Sequence, residues 1–396
     1  MDEQIRQEKL SRLANVFSPT APIISSNLFF GRLDHLNQIL EAAKERGQHV
    51  VLYGERGVGK TSLANIIESR FSKVLIAKVT CNRNETYDNI WRKILKKISF
   101  IQKSTGIGFE VVESEKKVQL DLFLDGRNEV KPDDIADIFE YVKNPIIFIF
   151  DEFDSMQSPQ IRTRFTDTIK ALSDNASNVT IIIVGIAESV TELIGEHPSI
   201  ERCLKQVKLP RMSDAELGEI IDNGLRVLEM SVHPLIRSKI IRFSQGFPHY
   251  THLLAKYAGK IAIESGASVI DDIHFDAAVS DAIDNVQESV RSDFQKAILT
   301  SKERSMFENV IYACALASGD EYGTFRALDL ALPLQKLTGK PVGLNAYIYN
   351  LGKLCQEERG AIIQKIGQVK RYRYRFRNPL LKAFVTLRLY QKGSIS

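Results

Sequence analysis

Residues 49–62 read "HVVLYGERGVGKTS", a short apolar run that breaks into a glycine-rich turn and ends in Lys60-Thr61. The spacing Gly54-x4-Gly59-Lys60-Thr61 is the phosphate-loop pattern. Glycines let successive backbone N–H groups turn inward around phosphates, a lysine reaches the β- and γ-phosphates, and the hydroxyl that follows takes Mg²⁺. The helix that follows presents its N-terminus to the anion. The whole segment Gly54, Glu55, Arg56, Gly57, Val58, Gly59, Lys60, Thr61 and Ser62 is therefore expected to hold a nucleotide. A turn without a ligand is the alternative, but the strand before it and the helix after it are the context the mechanism requires.

A second run, "IIFIFDEFD" at 146–154, places Asp151 at the end of a continuous apolar strand. Open α/β sheets bind ligands at the carboxyl ends of their strands. Asp151 is expected to hold Mg²⁺ through its water shell, and Glu152 to polarise an attacking water. The competing role is a helix cap, which Asp154 before "SMQSPQ" could fill. Arg202, in "HPSIERCLKQVKLP", lies past the fourth strand. It is either a solvated side chain or an arginine that reaches a neighbouring subunit's γ-phosphate in trans.

Outward from these motifs, "KVLIAKVTC" (73–81) and "VTIIIVGI" (179–186) also read as strands without alternation, each separated by helical pattern. Such strands argue for a parallel sheet covered on both faces. Residues 100–132 give no clear reading. After Leu209-Pro210 the pattern becomes helical, and Ser213/Glu216 and Thr300/Glu303 both have capping-box spacing. The expected division is a leader at 1–27, an ATPase core at 28–211, an α-helical lid at 212–298 and a basic domain at 299–396.

The net charge of +4 is unevenly placed, with +9 from Ser301 onward and −5 before it. From Arg359 to the end there are ten basic side chains and no acidic one. In "QVKRYRYRFRNPLLKAF", Arg371, Arg373, Arg375 and Arg377 alternate with Tyr372, Tyr374 and Phe376. On a strand this puts the arginines on one face and the aromatics on the other. The aromatics are expected in a core and the arginines, with Lys370, in solvent as a ribbon for phosphates. The helix before it offers Lys340, Asn345, Tyr349 and Lys353 to a groove. Helices followed by a basic hairpin describe a winged helix, which could equally dock a protein. Four cysteines without C-x-x-C spacing suggest reduced thiols and no zinc site. The charged start and the short apolar runs suggest neither a secretory signal nor a membrane span, and so a cytoplasmic protein.

Together these stretches resemble AAA+ ATPases of the origin-recognition and replication-initiator clade, and also the STAND signalling ATPases. "LFFGRLDHL" is similar to the adenine-side Gly-Arg box, which gives Gly31 and Arg32 to the nucleotide. "GERGVGKTS" resembles Walker A and "IFIFDEFD" Walker B. "VGIAESVTELIGEHPSIERCLKQVKLPRM" also resembles the matching stretch of transposition-regulator ATPases, where the arginine at Arg202 sits at the subunit interface. Two departures matter. Glu188 stands where initiators have asparagine, which leaves Ser189 as the polar contact, and "GFPHY" puts His249 in the slot of the lid arginine. The Gly-x-Pro form is closer to the STAND lid, where Pro248 would lie by the adenine. Both departures fit a slow nucleotide-gated switch better than a motor.

The resemblance thus implies an α/β P-loop fold with a helical lid and a winged helix, holding ATP or ADP with Mg²⁺. It implies an ATPase that self-associates and engages duplex DNA. The alternatives are a STAND-like switch that oligomerises with a partner effector, for example in anti-phage defence, and an ATPase whose winged helix docks a protein.

Overall fold

The computed structural model describes residues 3–23, 28–70, 74–105, 113–140, 142, 144–156, 158–175, 178–195, 198–286, 288–299, 306–320, 323–368 and 371–395. The chain forms two compact units, Pro22–Pro210 and Met1–Ala21 together with Arg211–Ser396.

In the unit Pro22–Pro210 the strands are β1 (His49–Gly54), β2 (Leu75–Thr80), β3 (Ser99–Thr105), β4 (Glu113–Gln119), β5 (Ile146–Asp151), β6 (Val179–Ile186) and β7 (Leu204–Lys208). Five of them form one sheet in the order β2-β5-β6-β1-β7, with every pairing parallel. Every residue of β5 is buried, as are all of β6 but the last, which accounts for their unbroken apolar sequences. Because the strands run parallel, Gly54 at the end of β1 and Asp151 at the end of β5 reach the same edge of the sheet.

The last strand, β7, is the one that the apolar pattern does not reveal. Its sequence "LKQVK" buries only Leu204 and Val207, because as an edge strand it pairs on one side only. The unassigned stretch after residue 98 is an antiparallel hairpin of β3 on β4, with Ser99 opposite Gln119, followed by a 3-10 turn at Leu120–Leu124.

An aromatic cluster fills one region of the core. On the helix Tyr87–Leu95, the Trp91 ring stacks on Phe165 at 5.8 Å and meets the edges of Phe148 and Phe150 at 5.6 and 5.3 Å. Phe165 comes from the helix Pro159–Asp174, so one cluster ties two helices to β5. Each fully buried ring contributes roughly 2–3 kcal/mol from apolar burial alone.

The other unit begins with the helix Glu3–Val16. It is not a free leader, because it packs on the helices Asp214–Val227 and Pro248–Glu264 through glycines. A Cβ at Gly224 would stand 2.5 Å from the Phe17 ring, and one at Gly259 3.0 Å from Leu13. Lys9 Nζ donates to the Glu229 carbonyl at 3.2 Å. Ser213 and Glu216 form the expected capping box. The Thr300/Glu303 pair lies outside the described residues.

Helices Pro234–Ser244 and Asp272–Asp284 complete this helical group, with two short paired strands, β8 (Ser231–Val232) and β9 (Val269–Ile270). Further helices follow at Glu288–Ile298, Phe307–Leu316, Ala331–Thr338 and Leu344–Leu354, then a hairpin of β10 (Ile363–Ile366) and β11 (Arg373–Phe376) and a helix Pro379–Gln391. The segments 212–298 and 299–396 are joined by side chains. Tyr250 donates its hydroxyl to the Leu380 carbonyl at 2.8 Å, and the Tyr390 ring lies 5.0 Å from Phe243 and 5.7 Å from Phe275. Among the described residues no helix is long and apolar enough to cross a membrane.

Candidate nucleotide site

The glycine-rich turn is held by backbone constraints that only its own residues satisfy. Gly54 leaves β1 at φ 154°, and a Cβ there would stand 2.3 Å from the Leu209 carbonyl. That approach is fixed by Leu209 N–H, which donates to Tyr53 O at 2.7 Å. Gly57 and Gly59 take left-handed conformations at φ 86° and 98°, which glycine adopts without steric cost. Between them Val58 is fully buried and anchors the loop, while Arg56 is exposed. Ser62 accepts from Ile23 N–H at 3.2 Å, which ties the first helical turn to the preceding segment.

Lys60 starts the helix Lys60–Arg70 and is only 7% exposed. Its ammonium folds back over the turn and donates to the Gly54 carbonyl at 3.0 Å and the Glu55 carbonyl at 2.7 Å. Burial pulls its pKa down to about 8, and the carboxylates of Asp154, Asp151 and Glu55 counter part of that shift. Among the described residues no carboxylate is paired with Lys60, and a buried cation so placed is arranged to receive an anion.

Asp151 is 2% exposed at the end of β5. Its Oδ1 accepts from Glu152 N–H at 3.0 Å and lies 3.4 Å from the Thr61 hydroxyl that donates to it. Its Oδ2 is paired with Lys78 Nζ at 2.9 Å. The donor set of a hydroxyl and a carboxylate, oxygen only, fits a hard divalent cation such as Mg²⁺. Glu152 is exposed and holds a left-handed φ of 54°. Asp154 does not cap the following helix. Its Oδ1 accepts from Ile186 N–H at 2.7 Å and so pins the end of β6 beside β5.

The other expected residues divide by surroundings. Arg32 is 4% exposed, has φ 88° and donates to the Pro210 carbonyl, and Gly31 before it is also left-handed. Both fix the entry to the helix Leu33–Ala42. The Ser189 hydroxyl shares a hydrogen bond with Thr191 at 2.9 Å, and Glu188 N–H bonds to the Glu192 carboxylate. The Arg202 side chain is 75% exposed and pairs with Asp174 at 2.7 Å rather than with the phosphate loop. In the other unit, Pro248 opens the helix Pro248–Glu264, and His249 Nδ1 bonds to the Pro19 carbonyl at 2.7 Å. Burial lowers the His249 pKa, partly opposed by that bond.

The basic segment follows the expected alternation in part. Tyr374 and Phe376 are buried and Arg371 and Arg377 exposed, whereas Tyr372, against the Lys365 ammonium, is half-buried like Arg373 and Arg375. Those arginines have partners within the chain. Arg373 pairs with Asp320 at 3.0 Å, Arg375 with the Gln364 side-chain oxygen at 2.8 Å and Arg377 with Glu357 at 2.9 Å. Lys353 pairs with Glu358 at 3.2 Å. Arg371, Lys340, Asn345 and Tyr349 are exposed, and Lys370 lies outside the described residues.

One site residue escaped the motifs. Lys78, in the middle of β2, pairs with Asp151 and also donates to the Asn65 side chain. The signal was a lysine inside the otherwise apolar "LIAKV".

A family model described as Novel STAND NTPase 1 matches residues 24–256. A search of curated proteins finds no match. Among solved structures, the Walker-type ATPase of Pyrococcus abyssi is similar at TM-score 0.52 and 15% identity, over 94% of this chain and 99% of that one. The Aeropyrum pernix ORC2 protein in its ADPNP-ADP complexes gives TM-score 0.49 at 16% identity, over 96% of this chain and 98% of that one. The Aeropyrum pernix ORC1 protein in complex with DNA gives 0.47 at 14% identity, over 95% of each chain. At these identities the likeness concerns the fold alone, and it rests on the first of the three.

Proposed function

The chain belongs to the Novel STAND NTPase 1 family, and from that premise we propose that it is an ATP-binding, slowly ATP-hydrolysing switch whose nucleotide state controls assembly. The observation that carries the reading is the buried Lys60 ammonium, held over a glycine cradle at the edge of the sheet where Asp151 and Thr61 come together. The backbone N–H groups of 54–62 and Lys60 bind the phosphates. Thr61 and Asp151 hold Mg²⁺, which when bound offsets the charge on the β- and γ-phosphates. Glu152, exposed beside Asp151, orients the attacking water. Arg202 is suited to serve a neighbouring subunit, because an exposed ion pair such as Arg202–Asp174 is worth under about 1 kcal/mol and is readily exchanged for a phosphate.

The test is ATP turnover at several protein concentrations for the wild type, Glu152→Gln and Arg202→Ala. The reading predicts turnover per subunit that rises with concentration and falls in both variants. Equal, concentration-independent rates in all three would remove Glu152 and Arg202 from the mechanism.

A second reading, duplex DNA binding by the C-terminal region as a winged helix, is favoured by the charge asymmetry and by the arginines that alternate on β11 with buried Tyr374 and Phe376. Its test is duplex affinity against salt, which must fall steeply if phosphate contacts carry it. Affinity independent of salt would turn the region into a protein-docking surface for an effector.

A further inference from the structure

Lys78 has no place in the phosphate-loop logic, yet it makes the closest ionic contact to the metal carboxylate. It sits on β2 opposite Ile149 of β5, between the buried residues Ala77 and Val79. Its side chain is 13% exposed and that of Asp151 is 3% exposed. The ammonium is gripped on two sides, by Asp151 Oδ2 at 2.9 Å and by the Asn65 side-chain oxygen. Asn65 is oriented in turn by its amide, which donates to the Ile23 carbonyl at 3.4 Å. The two carboxylate oxygens of Asp151 are thus divided. Oδ2 belongs to Lys78, and Oδ1 faces Thr61 and the Glu152 amide.

This division has an electrostatic consequence. A buried carboxylate beside a hydroxyl would attract a divalent cation by itself. With Lys78 in place the pair is neutral, so the pull on a +2 ion is weak until nucleotide phosphates add their own negative charge. We propose that Lys78 is the resident counter-cation of Asp151. It keeps the metal carboxylate neutralised and oriented until a nucleotide arrives, and it sets how strongly nucleotide binding depends on Mg²⁺. Lys78 is a positioning residue, since it acts through Asp151. The inference rests on the phosphate-binding reading of the same site.

The experiment uses the full chain and two probes. The first is the imido analogue of ATP, whose affinity is measured in Mg²⁺ and in EDTA for the wild type, Lys78→Met and Lys78→Arg. Removing one charge at this range in a largely buried site is expected to raise the ratio of the two affinities about tenfold in Lys78→Met. Lys78→Arg, which keeps the charge, is expected to stay near the wild-type ratio. An unchanged or reduced ratio in Lys78→Met overturns the proposal. The second probe is Mn²⁺ without nucleotide, followed by its electron paramagnetic resonance. Wild type is expected to bind it no tighter than millimolar, and micromolar binding by wild type overturns the proposal whether or not Lys78→Met folds. Wild type that fails to bind the analogue with Mg²⁺ would instead sink the nucleotide reading, and the Mn²⁺ arm would still decide the role of Lys78.

Discussion

The phosphate loop and the arginine ribbon are the two strongest motifs in the chain, and they are built on different principles. In the loop, the proposed function resides in backbone geometry and buried charge. Gly54 is pressed against Leu209, Val58 is buried, and Lys60 is held at 7% exposure. In the ribbon, charge lies on the surface, and Arg373, Arg375 and Arg377 each have a partner from their own chain. A loop motif therefore points to a ligand class, because its glycine spacing and its lysine serve one geometry. A charge pattern announces only that charge is there, since neighbouring residues decide how much of it is left for a partner.

The sharpest way to probe this contrast is to break a pair in each region. Asp151→Asn leaves the buried Lys78 ammonium without its counter-charge, and is expected to destabilise the protein by about 3 kcal/mol in denaturant midpoints. A loss below about 1 kcal/mol would mean that the buried pair behaves like a surface one. Next in size, Lys60→Ala removes the charge-assisted contacts to phosphate. ATP affinity is expected to fall by about 100-fold, measured by calorimetry or fluorescence.

The pH dependence is smaller and its sign follows from the Lys60 environment. Its pKa is about 8 in the free protein, and a bound phosphate favours the ammonium and raises it. Binding therefore takes up a proton above pH 8, and affinity is constant below pH 8 and falls by up to about tenfold per pH unit above it. Lys60→Arg is expected to flatten this profile, because a guanidinium stays charged.

The smallest effects belong to the ribbon. Arg373→Ala, Arg375→Ala or Arg377→Ala is expected to change stability by under about 1 kcal/mol, because exposed pairs contribute little. If the region binds duplex DNA, each change should lower the slope of log affinity against log salt by about 0.9. Unchanged slopes in all three variants would leave the ribbon as charge satisfied within the chain.

Much of the nucleotide-binding unit was legible because its chemistry is local. The runs "HVVLY", "IIFIF" and "TIIIV" could be buried strands and little else, and the turn after the first carries its own spacing. Strand β7 was illegible because an edge strand with Lys205, Gln206 and Lys208 outward looks like a loop. The hairpin of β3 and β4 is rich in charge and lacks a short turn signal. The Glu3–Val16 helix looked like a leader because its partners, Gly224 and Gly259, lie more than 200 residues away in sequence.

By itself the sequence determined the P-loop class of the fold, the strand ends that carry Gly54 and Asp151, and the inward aromatic face of β11. These depend on spacing and alternation, which act over a few residues. Only the tertiary structure decided that Lys78 shares Asp151 with Thr61, that Asp154 secures β6, that Arg202 rests on Asp174, and that Arg373, Arg375 and Arg377 have partners. The reason is physical. A backbone conformation is set by its own neighbours in the chain, whereas the fate of a charge is set by whichever opposite charge the fold brings within a few ångströms.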